Sequence, residues 1–138
     1  MTSQPRGMLV PRPEPGVSRF DVICQPGIVD TVLDLMARWA DDRALPENAR
    51  RRLGYLMGAA VEHGTRFEPR ALTMLVRWVD VEQVRVDLRW YGGADAALPE
   101  RPEQALTGTI ATLDALAAEW GLGHNGTAWI QWIVADVA

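Results

Sequence analysis

The first regular stretch of the chain alternates. Phe20, Val22 and Cys24 fall on one face of an extended segment, with Arg19 and Asp21 on the other. A period of two predicts a half-buried strand over Val17 to Cys24, which Pro26 and Gly27 end. The period then changes. Ile28, Val32, Leu35, Met36 and Trp39 recur at helical spacing, which predicts a helix with one apolar stripe. Its acids Asp30 and Asp34 lie toward the start and Arg38 lies near the end, the order the helix dipole favours. Residues 41–46 are polar and close on Pro46, as a connection does. A second helix is expected from about Glu47 to His63. Its inward set is Ala49, Leu53, Leu56, Met57, Ala60 and Val61, and Gly64 reads as its stop.

Two alternating runs follow. Leu72, Met74, Val76 and Trp78 interleave with Thr73, Leu75, Arg77 and Val79; Val84, Val86, Leu88 and Trp90 interleave with Arg85, Asp87, Arg89 and Tyr91. The link of residues 80–83 is short enough for a hairpin, so these strands are expected to be antiparallel neighbours. Residues 92–104 hold Gly92, Gly93, Pro99 and Pro102 without a period and read as the longest internal loop. A third helix is expected over about Glu103 to Trp120, with Leu106, Ile110, Leu113, Leu116, Ala117 and Trp120 inward and Gly121 and Gly123 as stops. The end, Thr127 to Val137, is apolar enough to read as a strand covered on both faces. The order strand, helix, helix, strand, strand, helix, strand predicts an α+β two-layer sandwich. Its sheet should be mixed and mostly antiparallel, with three helices on one face. Residues 1–16, rich in Pro and Gly, are expected to be a flexible tail ahead of one domain over residues 17–138.

Composition narrows the chemistry. The net charge of −4 gives no electrostatic reason to expect direct nucleic-acid or acidic-membrane binding. All 14 cationic residues are arginine, which removes Schiff-base chemistry and the P-loop lysine. One cysteine excludes an intrachain disulfide. With no signal-peptide pattern and no long apolar run, a cytoplasmic location is expected.

His63 and His124, the only histidines, lack a second ligand at metal-binding spacing, so a structural or solvent role is expected and no metal. Cys24 on an apolar strand face behaves as a small hydrophobe. Gly121-Leu122-Gly123 lacks the third glycine of a dinucleotide loop and ends a helix rather than opening one. Arg50, Arg51 and Arg52 form the densest charge cluster. A solvated helix face is the plain account of it, and a contact for an acidic protein partner is the functional one. Of the six tryptophans, Trp39, Trp78 and Trp120 fall on core faces; Trp90 and Trp129 are the candidates for binding, with core packing the plainer and favoured account of each.

Four stretches together resemble the histidine-kinase-type ATPase domain, in the form of the short stand-alone anti-sigma-factor serine kinases and their actinobacterial relatives. The segment Arg52 to Gly64 resembles that family's E-L-x-x-N-A-x-x-H-G helix, keeping Ala60, His63 and Gly64. The strand Val84 to Gly92 resembles the one carrying D-x-G. Leu113 to Gly121 and Gly126 to Trp129 resemble the stretches V-x-x-L-A-x-x-W-G and G-T-x-W. The resemblance implies the fold and a catalytic site, yet the site's residues are exchanged. Tyr55 stands where the family has its glutamate base, Ala59 where it has the magnesium-binding asparagine, and Trp90 where an aspartate reads adenine, while Gly92 is kept. The lid motif G-R-G-L is reduced to Thr107-Gly108-Thr109-Ile110. Alanine cannot hold magnesium, tyrosine is a poor base near neutrality, and indole offers no acceptor to an amino group.

The expectation is therefore a non-catalytic regulatory protein without a cofactor. It would bind a protein partner: by resemblance a sigma factor, an anti-sigma antagonist or another transcription regulator. Arg50, Arg51, Arg52 and the 92–104 loop are its candidate contacts, and a homodimer is plausible. The alternatives are a divergent ATP-binding serine kinase, or a small-molecule sensor with Trp90 and Trp129 lining a vacated pocket.

Overall fold

The computed structural model describes residues 16–93, 107–124 and 126–138. The chain runs β1 (Ser18–Ile23), α1 (Ile28–Asp42), α2 (Glu47–Gly64), a 3-10 turn (Thr65–Phe67), β2 (Ala71–Asp80) and β3 (Gln83–Tyr91), then α3 (Thr107–Leu116), β4 (Glu119–His124) and β5 (Ala128–Asp136). The strands form one open sheet in the order β1-β2-β3-β5-β4. Every pairing in it is antiparallel, so the expected mixed sheet is corrected. Strand direction depends on how distant segments meet, and alternation within one strand carries no trace of it.

One alternation of each strand faces the helices. Phe20 and Val22, Leu72 to Trp78, Val84 to Trp90, and Trp129, Ile133 and Ala135 join Val32, Met36 and Trp39 of α1 and Leu53, Met57, Ala60 and Val61 of α2 in a single core. Full burial of each large side chain here contributes about 1.5–3 kcal/mol relative to exposure. The first helix, the second helix and the β2–β3 hairpin thus follow their hydrophobic period. A bulge between Trp78 and Asp80 lets the hairpin close.

The third helix ends earlier than expected. Its described part is Thr107–Leu116, while residues 94–106, including most of the expected loop and the first turn assigned to this helix, lie outside the described residues. Trp120, Gly121 and Gly123 belong instead to an additional edge strand, β4, with Gly121 opposite Trp132. Glycine at 121 answers to packing, since a Cβ there would lie 2.5 Å from the Trp132 indole, whereas a Cβ at Gly123 would meet nothing within 4 Å. That ring needs a bare backbone beside it. Trp120 still packs on the core, from a strand, and its Nε1 donates to Asp114 Oδ1 at 2.9 Å.

Covering of β5 on both faces holds in part, since Ala128 and Val134 are buried on the face away from the helices. Trp129, Gln131 and Ile133 lie under the helices, whereas Ile130 and Trp132 are half-buried on the helix-free face of the sheet. Residues 1–15 of the expected tail lie outside the described residues.

Candidate functional site

The second helix sets the positions that matter. Leu56, Met57, Ala60, Val61 and Gly64 point into the core. Tyr55 and Ala59, one turn apart on another stripe, do not. Tyr55 is 60% exposed and borders a groove between α1 and α2 with Leu33, Met36, Ala37, Ala40, Arg50 and Arg51. Ala59 is partly covered by α3, whose Thr109 hydroxyl lies 3.4 Å from the Ala59 carbonyl oxygen. Gly108 is exposed beside it, and Thr107 opens the helix. The structure therefore brings Ala59 and Thr109 together and leaves Tyr55 at the surface.

Trp90 lies one layer deeper, 3% exposed. Its Nε1 donates to Gln131 Oε1 at 2.8 Å, and Gln131 Nε2 donates to the Ala60 carbonyl oxygen at 3.0 Å. A central strand is thus tied through its neighbour to α2 by two buried hydrogen bonds. The indole lies against Gly64: a Cβ there would meet Trp90 Cε2 and Cζ2 at 2.3 Å. His63, 1% exposed, sits at 5.1 Å from the Trp129 ring and 5.3 Å from the Phe67 ring. Phe67 and Trp129 are themselves 5.1 Å apart, edge to face. This is an aromatic core cluster, which agrees with a structural His63. Gly92 has φ 73°, a left-handed conformation, and a Cβ there would crowd Arg70. Its glycine therefore answers to backbone shape.

Gln131 and Phe67 are the residues at this site that sequence inspection missed. Gln131 had one visible signal, as the lone polar side chain inside the apolar run 129–134. Such a residue, 2% exposed, must find partners in the interior.

The arginine cluster is not one patch. Arg50 donates to Leu45 O at 2.8 Å and pairs with Asp41. Arg51 pairs with Glu47 one turn earlier, and Arg52 donates to the Asp136 carbonyl at 2.7 Å, at the end of β5. Each guanidinium serves a different neighbour within the chain. Among the described residues no group of three or more His, Cys, Asp or Glu is placed to hold a metal ion. None of the described helices is long and apolar enough to cross a membrane.

Asp21, on the first strand, and Cys24, just past its end, have altered acidity. The Thr73 hydroxyl, at 2.7 Å, and then Arg19 hold the Asp21 carboxyl below its ordinary range. Burial pushes the Cys24 thiol up. Cys24 packs against the core from the end of β1, and its backbone N–H donates to Arg70 O at 3.0 Å. A raised thiol pKa leaves less thiolate, the reactive form, at neutral pH. We expect Cys24 in the native chain to react with a disulfide reagent at pH 7.5 more slowly than a free cysteine peptide. Denaturation should erase the difference, and equal rates before and after would contradict it.

No protein-family model matches the chain, and no curated protein matches it.

Proposed function

We propose that this chain is a regulatory protein that works by binding another protein and performs no catalysis of its own. By the resemblance of residues 52–64, 84–92 and 113–129, its partner would be a sigma factor, an anti-sigma antagonist or another transcription regulator. The scaffold would be a histidine-kinase-type ATPase fold without a working nucleotide site. The coarse architecture, helices layered on an open antiparallel sheet, is compatible with it.

The observation that carries this reading is the placement of Trp90. At the position where the resemblance calls for an adenine-reading aspartate, an indole is buried against Gly64 with its only polar hydrogen already given to Gln131. It offers no acceptor to an exocyclic amine, since indole N–H only donates. At Ala59 only backbone and a methyl group are available where a magnesium ligand is implied. A buried, hydrogen-bonded tryptophan serves as core, and what is left for function is surface.

Isothermal calorimetry with Mg-ATP tests this. No saturable heat is expected up to millimolar nucleotide. Stoichiometric binding would return the chain to the divergent kinases, and phosphorylation of a co-purifying protein would do so more directly. The positive half of the test is affinity capture from the organism that encodes the chain. A stoichiometric transcription regulator is expected, and recovery of the chain alone would count against the proposal.

A further inference from the structure

The helix-free face of the sheet carries a concavity of about 560 Å³. Its floor is apolar, from Leu75, Ile130 and Trp132, and its charged lining is Arg77, Arg85, Asp87 and Arg89, with His124 at the rim. Arg85 is already engaged, with Nη2 3.0 Å from Asp87 Oδ1 and its guanidinium 4.8 Å from the Trp132 ring centre. Asp87, the lone acid in that lining, is thereby taken. Arg77 stands directly opposite Arg85 across the β2–β3 ladder. Like charges facing each other across strands are unfavourable, and no ion pair within the described residues relieves Arg77. At the other end Arg89, opposite Thr73, has its Nε buried without an acceptor. A concave face on an acidic chain thus presents two uncompensated guanidinium groups with an apolar strip between them.

We infer that this face binds an extended acidic segment of a protein partner, with two carboxylates about four residues apart and an apolar side chain between them. Arg77 stands level with Arg85, four residues before Arg89 on β3, so the two free guanidinium groups are separated by about 13 Å along the strands, the length of the same number of residues in an extended peptide. A small anion cannot span that distance. Each guanidinium fork suits a carboxylate, and the apolar side chain would sit over Leu75 and Ile130. Single-stranded nucleic acid fits less well. It needs a free aromatic face for base stacking, and Trp132 has Arg85 over its ring and the backbone of Gly121 beside it. The proposal rests on the chain being a protein-binding regulator and names the surface it uses.

The test uses the full chain and a fluorescent extended peptide with two glutamates four residues apart and a leucine midway. Fluorescence anisotropy at low salt should show saturable binding. Joint substitution of Arg77→Gln and Arg89→Gln should weaken it about tenfold or more, and rising salt should weaken it further. Lysine at the same two positions should retain part of the affinity and shows that the loss is of charge rather than fold. Arg38→Gln, which removes an exposed α1 arginine paired with Asp34, should leave binding unchanged. The proposal is overturned by no binding, by binding indifferent to the paired substitution, or by tighter binding of oligothymidine to the same arginines. Its failure is separable from that of the proposed function. A native partner captured equally well by the doubly substituted chain would sink the sheet-face site and leave the regulator standing. ATP binding would sink the non-catalytic reading whatever the peptide measurement shows.

Discussion

Replacing Gly64 by alanine should cost about 3 kcal/mol, the upper part of the range for overpacking a core. The backbone at Gly64 is ordinary right-handed helix, φ −60° and ψ −34°, so alanine is conformationally welcome there. The penalty comes wholly from Trp90, whose ring atoms would lie 2.3 Å from the new methyl group. The indole has little freedom to retreat, because it is 3% exposed and its Nε1 is held by Gln131. Gly58 supplies the contrast within the same helix. A Cβ there meets nothing within 4 Å, so Gly58→Ala should stabilise by roughly 0.5–1 kcal/mol through helix propensity. Urea unfolding of both variants reads the two signs. Trp90→Phe removes the offending ring atoms, so combining it with Gly64→Ala should recover about 1–2 kcal/mol relative to additivity. If Gly64→Ala is neutral, the close approach of helix and indole is wrong, and the central support for the proposed function falls with it.

The same glycine shows what the sequence made legible and what it did not. From sequence Gly64 reads as a helix stop, because glycine commonly ends helices in a left-handed conformation. Here the helix passes through it into a 3-10 turn, and the left-handed residue is Glu68, with φ 51°. The reason for glycine is a tryptophan 26 positions later, beyond the reach of local pattern. Gly121 repeats the lesson against Trp132. With Leu113, Leu116, Ala117 and Trp120 at helical spacing before it, the last turn of a helix and the start of an edge strand read alike. Elements with a long, clean period were legible: α1, α2, β2 and β3. The depth of Trp90 followed from its alternation, but its partner Gln131 did not. Likewise the run Arg50 to Arg52 was visible as charge, yet a helix turns each residue by about 100°. That rotation sends the three to Leu45 and Asp41, to Glu47 and to Asp136. Clustering in sequence was no guide to clustering in space. The surplus of positive charge in the sheet-face concavity comes instead from strands that alternate, where no two of its arginines are adjacent in sequence.

Gln131→Leu should destabilise by about 2–3 kcal/mol even though it exchanges a polar residue for an apolar one of similar size in the core. Gln131 is 2% exposed and connects two groups, accepting from Trp90 Nε1 and donating to the Ala60 carbonyl. Leucine does neither, so a buried indole N–H loses its acceptor, and an unsatisfied buried donor costs about 1–3 kcal/mol. If that is the cause, removing the donor as well should help: Trp90→Phe with Gln131→Leu should lose less than the sum of the single changes. Gln131→Glu separates the two roles through pH. A buried carboxyl should have a folded-state pKa raised above the unfolded value of about 4.3. When protonated it can still accept from Trp90 and donate to Ala60; when ionised it can only accept, and it carries a desolvated charge. The folded state then holds more protons than the unfolded one, so stability must fall as pH rises. The variant should approach wild-type stability near pH 4 and lose several kcal/mol by pH 8, about 1.4 kcal/mol for each unit by which the pKa is raised. A flat difference from wild type across that range would mean that residue 131 reaches solvent, and that Trp90 is not anchored in the interior as its hydrogen bond requires.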